Sequence, residues 1–237
     1  MTIKATYLGS NGWIIHFPNK RIIIDPWIAG SLVFPPGEWF FKGTLSKEIK
    51  VPEDINLILI TQGLPDHCHL PSLEKFSKDI DVICSKSAYT KIKELGYKSI
   101  KILEPGENLI NQGIRLEATE GAPVPQKENG YIIEVDNESL YIEPHGFLDK
   151  KIEPRKLKAV ISPTINLNLP IFGSFIKGAD IIPELIKKFN PNYILSSTTG
   201  GDAKFSGLLN RFISIRELDM KLDCELIQLK SMQSVEI

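Results

Sequence analysis

The sequence predicts an α/β sandwich: two β-sheets packed together, with helices on the outside. Three observations carry this. Each half of the chain runs through a block of strand-like segments and then alternates strand and helix patterns. Ile55 to Thr61 is an apolar run of the kind that forms a strand covered on both faces. No Ser/Gly linker or charge block separates the halves, so residues 1–237 read as one domain. The repeat lies in the order of elements, not in the sequence itself.

In the first half, Lys4 to Leu8, Gly12 to Phe17 and Arg21 to Asp25 read as strands, the last two joined by the turn Pro18-Asn19-Lys20. After the apolar run, Pro71 to Lys78 has helical composition and Asp81 to Cys84 reads as a strand. Ser85 can cap a helix over Ala88 to Leu95, with Gly96 just past its end. Strands dominate from Lys98 to Glu143, with turns expected at Asn129-Gly130 and Asp136-Asn137. Leu157 to Ile161 and Tyr193 to Ser196 read as strands on either side of a helix over Ala179 to Phe189, which Asn190-Pro191 stops. Leu208 to Lys221 is expected to be helical and Glu225 to Leu229 a closing strand.

Composition narrows the function classes. The chain is 42% hydrophobic and 24% charged with a formal net charge of -1, so nothing suggests binding dominated by nucleic-acid phosphates. Cys68, Cys84 and Cys224 have no C-x-x-C spacing, which fits a reducing compartment better than a disulfide framework. No secretory pattern opens the sequence, and no apolar stretch reaches the roughly 18 residues of a membrane span. These features predict a cytoplasmic protein. Two long loops, Pro26 to Leu45 and Pro163 to Gly178, are rich in apolar residues, including Trp39 and Phe172. Such loops are lids, contact pads or simple core cover, and as lids they would suit a small-molecule ligand with an apolar or lipid-like part.

The chemistry-bearing residues cluster at Thr61-Gln62-Gly63-Leu64-Pro65-Asp66-His67-Cys68-His69, directly after the apolar strand. Together with Leu8-Gly9-Ser10, Ile24-Asp25-Pro26-Trp27 and Ile58-Leu59-Ile60-Thr61, this order resembles the metallo-β-lactamase-fold superfamily. Within it, the chain is most similar to the ascorbate-phosphate-lactonase-like metal-dependent hydrolases. The resemblance implies a four-layer αββα sandwich. It also implies a T-H-x-H-x-D-H frame that holds two metal ions and a water between them, which attacks an ester, lactone, amide or phosphodiester.

In that frame this chain departs from the family. Gln62 and Leu64 stand where the first metal's histidines would be, and neither 118–121 nor 196–202 supplies a further histidine. Asp66 and His67 remain. His145, in Glu143-Pro144-His145-Gly146, stands near the place of the bridging aspartate. The resemblance therefore implies one divalent ion (zinc, iron or manganese) on Asp66, His67 and His145, or no metal in a silenced relative. Asp66, Glu143 and Glu120 are the candidate catalytic carboxylates, and Asp25 is expected to support the metal motif through hydrogen bonds. Capping and turn roles compete for Asp66, His67 and His145. His69 and His16 are expected outside the metal set, and Cys68 as a small buried filler. Three functions stay open: a single-metal hydrolase, an inactive relative that binds a ligand or protein, and a mononuclear iron redox protein.

Overall fold

The structure is a computed structural model and describes residues 2–123, 127–170, 173–199 and 201–237. In its first half, β1 (Lys4–Gly9), β2 (Gly12–Phe17) and β3 (Lys20–Ile24) are followed by a hairpin of β4 (Ser31–Phe34) and β5 (Phe41–Thr44). Then come β6 (Leu57–Ile60), α1 (Leu70–Leu73), β7 (Asp81–Cys84), α2 (Lys86–Glu94) and β8 (Ile100–Ile102). The second half begins with β9 (Asn108–Asn111), β10 (Ile114–Glu120), β11 (Asn129–Val135), β12 (Glu138–Ile142) and β13 (Ala159–Pro163). It continues through β14 (Ile165–Leu169), β15 (Gly173–Lys177), α3 (Gly178–Phe189) and β16 (Tyr193–Ser197). The closing strands are β17 (Lys204–Ser206), β18 (Ser214–Glu217), β19 (Glu225–Ile227) and β20 (Ser234–Glu236).

Two seven-stranded sheets form the centre, ordered β20-β1-β2-β3-β6-β7-β8 and β19-β16-β13-β12-β11-β10-β9. Both follow one plan: β1-β2-β3 and β9-β10-β11-β12 run antiparallel, and β6-β7-β8 and β13-β16-β19 then join in parallel, while β20 closes the first sheet antiparallel to β1. The element-order repeat read from the sequence is thus a topological one.

Strand periodicity sorts the side chains into layers. Ile22, Ile24, Leu57 and Leu59 face inward and pack against Leu116, Tyr131, Ile133 and Ile142 of the other sheet. Their neighbours Ile23, Ile58 and Ile60 face outward and are covered by Leu73, Ala88 and Ile92 from the first two helices. On the far side, Ile182, Leu185 and Phe189 of α3, spaced three and four apart, cover Ile132, Val160 and Ile194. The result is the four-layer αββα arrangement.

Several local expectations need correction. Residues 208–221 form a 3-10 turn at Leu209–Arg211 and then β18, not a helix. Leu208, Phe212 and Ile215 have helical spacing, but they are exposed and find no core, and 214–217 pair with β14 instead. Asn129-Gly130 opens β11 instead of forming a turn. The predicted 71–78 helix shrinks to one turn. Both apolar loops contain hairpins, β4–β5 and β14–β15. Phe172 lies outside the described residues. Trp39 is 64% exposed, and its carbonyl accepts the Leu208 N–H, so it sits beside that exposed apolar stretch.

The loop after β6 is pressed against the start of α2. A Cβ on Gly63 would lie 2.3 Å from the Ser87 carbonyl oxygen, and the Gly63 N–H donates to Ser87 Oγ. Only glycine fits there. We expect Gly63→Ala to destabilise the fold by about 1–3 kcal/mol, the usual cost of overpacking, as a lower Tm in thermal denaturation. At the other end of β2, His16 accepts a hydrogen bond from Arg21 Nε. Partial burial, then the Arg21 and Lys4 charges, lower its pKa to about 4 from 6.5. Between those values the unfolded chain binds more protons than the fold, so stability is full above about 6.5 and declines as pH falls towards 4. His16→Gln should flatten that part of a denaturation profile measured against pH; an unchanged slope would show that His16 does not carry it.

Candidate metal centre

The site lies where ends of strands from both sheets meet. At the end of β3, Asp25 takes a left-handed backbone (φ 43°), a conformation that Asp tolerates better than most residues. Its side chain is fully buried and turns towards the end of β6. Asp25 Oδ1 accepts the Thr61 N–H at 2.8 Å, and Oδ2 accepts the Thr61 hydroxyl at 2.5 Å and His67 Nδ1–H at 2.8 Å. His67 is placed by a helical turn in which Leu64 O accepts the N–H groups of His67 and Cys68. The imidazole is thereby fixed with Nδ1 on Asp25 and Nε2 beside Asp66, whose Oδ2 is 3.3 Å away.

A second arm of the same kind comes from the other sheet. The Asn129 N–H donates to Thr61 O at 3.0 Å, which ties the start of β11 to the end of β6 and brings Glu128 inward. Glu128 is fully buried, and its Oε2 accepts His145 Nδ1–H at 2.7 Å. His145 follows β12, and the chain can leave it only past α3: Gly146 has φ 74°, and a Cβ there would lie 2.4 Å from the Gly178 nitrogen. Glu143, also buried, accepts the N–H groups of His145 and Phe147 and hydrogen bonds to Glu128. The His67 and His145 rings stack, with centroids 5.1 Å apart.

Asp66, His67 and His145 each offer one ligand atom, and these atoms all lie within 4.8 Å of one another. Glu128, Glu143 and His145 meet the same condition. Asp66 Oδ1 is buried with no hydrogen-bond partner among the described residues. That orphaned carboxylate oxygen, beside two imidazoles whose other nitrogens are tied to carboxylates, is the donor chemistry a divalent cation takes. The residues therefore fit a metal ion.

Electrostatics agree with a site short of positive charge. Burial raises Glu128 to about 8, against the opposing pull of the His67 charge and of the Glu143 hydrogen bond. Burial, then the Glu128 charge, pushes Glu143 well above the usual carboxylate range. Burial, then the neighbouring His67, lowers His145 to about 4. Burial works against charge on His67 too, but Asp66 and Asp25 outweigh it and raise its pKa well above 6.5.

The other candidates fall elsewhere. Glu120 ends β10, and its carboxylate pairs with Lys151 and Lys127 outside the cluster. Gln62 and Thr61 are buried beside the ligand loop. His69 is buried, hydrogen bonded to Ser72 Oγ and Ser31 O, and packs edge-on to Trp27. Burial pushes the Cys68 thiol up to about 12, which suits packing and not ligation or attack. Sequence reasoning missed Glu128 and Asn11. Glu128 lies in a polar stretch that resembles a solvated turn. Asn11 sits in the tight β1–β2 connection, where an asparagine ordinarily serves the turn. Its side chain instead points at Asp66 and His67.

A family model described as a β-lactamase superfamily domain matches residues 4–197. No curated protein matches the chain. Among solved structures, a possible metal-dependent hydrolase from Veillonella parvula is 14% identical with a TM-score of 0.68 and covers 99% of both chains. An isothiocyanate hydrolase from Delia radicum gut bacteria is 16% identical with a TM-score of 0.64, over 83% of this chain and 84% of that one. CmlA, a diiron β-hydroxylase from Streptomyces venezuelae, is 15% identical with a TM-score of 0.56, over 85% of this chain and 45% of its own. At these identities the likeness is one of fold. The match of the family model over most of the chain, together with the four-layer fold, shows that this protein belongs to the β-lactamase superfamily.

Proposed function

We propose that the protein is a metal-dependent hydrolase that works with one divalent ion held by Asp66, His67 and His145. The observation that carries this reading is the pair of carboxylate–imidazole arms, Asp25–His67 and Glu128–His145. Each carboxylate holds Nδ1–H and leaves the Nε2 lone pair to face the cluster, and the two arms come from different sheets to meet at Asp66. An ion bound there supplies Lewis-acid polarisation and a water that ionises near neutral pH.

The chain's own residues do the rest. Asp25 and Glu128 hold the two rings in one tautomer and orientation. Asp66 is the more open member, with its side chain 19% exposed, so it lines the side from which a substrate and water approach. Glu143 is the better placed of the two proposed proton-moving carboxylates, because it touches Glu128 inside the cluster while Glu120 is engaged with lysines outside it. The substrate class is a small molecule with an ester-like or phosphoester-like bond. Among the described residues no helix is long and apolar enough to cross a membrane. A cytoplasmic location belongs to this reading on the cysteine pattern, three residues without C-x-x-C spacing.

One observation favours a second reading, a relative that binds without turnover. Trp39, Leu208 and Phe212 are exposed, and β17 and the turn after it hold them on the β4–β5 hairpin. Bound metal per chain separates the readings. A tag-free preparation reconstituted with zinc, iron or manganese should hold close to one equivalent, and less than about a tenth would sink the hydrolase reading. His145→Ala should weaken binding by about tenfold or more in a metal titration; an unchanged affinity would remove His145 from the site.

A further inference from the structure

The geometry points to Asn11 as a further ligand of this metal ion, one that reaches the ion by turning its amide over. The inference rests on the single-metal reading above and adds a residue to it. Asn11 is buried, and its Nδ2 donates to Asp66 Oδ2 at 3.1 Å, with the Asp66 carbonyl oxygen at 3.4 Å. The same nitrogen is 3.2 Å from His67 Nε2. Asp66 Oδ2 and His67 Nε2 are themselves 3.3 Å apart. The three atoms therefore form a nearly equilateral triangle.

Ligand atoms about 2.1 Å from one ion sit about 3.0–3.4 Å from each other in octahedral or tetrahedral geometry. The triangle thus has the size of one face of a coordination shell. Two of its corners, Asp66 Oδ2 and His67 Nε2, belong to residues of the proposed metal set, and the Asp66 carboxylate would then meet the ion through Oδ2 as well as through the orphaned Oδ1. The third is an amide nitrogen, which donates hydrogen bonds and does not bind cations. A half-turn of the amide places Asn11 Oδ1 at that corner, and an amide oxygen is a ligand for hard divalent ions.

The partner on the other side of the amide permits this turn. The Thr198 hydroxyl is 3.0 Å from Asn11 Oδ1 and 3.1 Å from the Pro144 carbonyl oxygen. With Nδ2 on Asp66, the hydroxyl donates to Asn11 Oδ1. With Oδ1 on the ion, the hydroxyl donates to Pro144 O and accepts from Asn11 Nδ2. In each state the Thr198 hydroxyl keeps one acceptor, Asn11 Oδ1 or Pro144 O, and the turn gives up only the long 3.4 Å contact to the Asp66 carbonyl oxygen. Asn11 comes from the β1–β2 connection, so the site would draw a ligand from a loop distinct from those that carry Asp66, His67 and His145. It would supply an oxygen where Gln62 and Leu64 have replaced the usual imidazoles, and it would favour manganese or iron over zinc relative to an all-histidine set.

The test is titration with Mn²⁺, with the free ion followed by electron paramagnetic resonance, on the wild type, Asn11→Leu and Asn11→Asp, with folding checked by circular dichroism. Wild type should bind one ion, Asn11→Leu should bind it about tenfold or more weakly, and Asn11→Asp, which places a carboxylate at the same corner, should bind more tightly. Unchanged or tighter binding by Asn11→Leu would overturn the proposal, because the amide would then only cap Asp66. If Asn11→Leu does not fold, Asn11→Asp decides: unchanged or weaker binding overturns the proposal. A wild type that binds no ion overturns the single-metal reading and this inference with it. Binding by wild type that Asn11→Leu does not alter overturns the inference alone.

Discussion

The hydrogen bonds of the Asp25 carboxylate are the contacts on which the site depends. They join the end of β3 to the end of β6 and fix His67 in the same stroke. Thr61 then passes the restraint on: its N–H and hydroxyl face Asp25, and its carbonyl accepts Asn129 N–H from the opposite sheet. Through that bond the position of Glu128, and with it His145, follows from the meeting of the two sheets. A loop alone could not hold two stacked imidazoles against one carboxylate. Here the four-layer core behind them supplies the rigidity that a metal site requires.

The same arrangement concentrates buried charge. Asp25, Glu128 and Glu143 are fully buried, with Asp66 at the edge and two imidazoles between them. Burying several carboxylates together is costly unless they are protonated, paired or bound to a cation. Protons do part of this work, as the raised Glu128 and Glu143 show. A divalent ion would meet the remaining demand, and the orphaned Asp66 Oδ1 marks the side from which it would do so.

The fold was legible because its signals are local and repeated. The buried β6 run, the inward–outward alternation of Ile22-Ile23-Ile24 and the α3 stripe each carry the imprint of their layer. The C-terminal segment departs from the expected helix because Leu208, Phe212 and Ile215 have helical spacing without a core to cover, and strand pairing with β14 decides the conformation of residues 214–217. At the site, Asp66 and His67 stand in one short motif and His145 at a strand end, and the structure brings the three together. Glu128 and Asn11 were not legible. Their neighbours in sequence are turn-forming residues, and their direction is set by contacts across the two sheets. Glu120 is a candidate carboxylate only through the family resemblance, in the 118–121 stretch, and its side chain is drawn to Lys151 instead.

The central claim is that two imidazoles with carboxylate-fixed Nδ1 groups present Nε2 to one ion. Long-range ¹H–¹⁵N spectra of the histidine rings during a Zn²⁺ titration test it directly. The account predicts that Nε2 of His67 and of His145 shift together and saturate at one equivalent, while both Nδ1 atoms remain protonated and His16 and His69 are unmoved. A shift of only one of the two rings, loss of either Nδ1 proton, or saturation at two equivalents would contradict it.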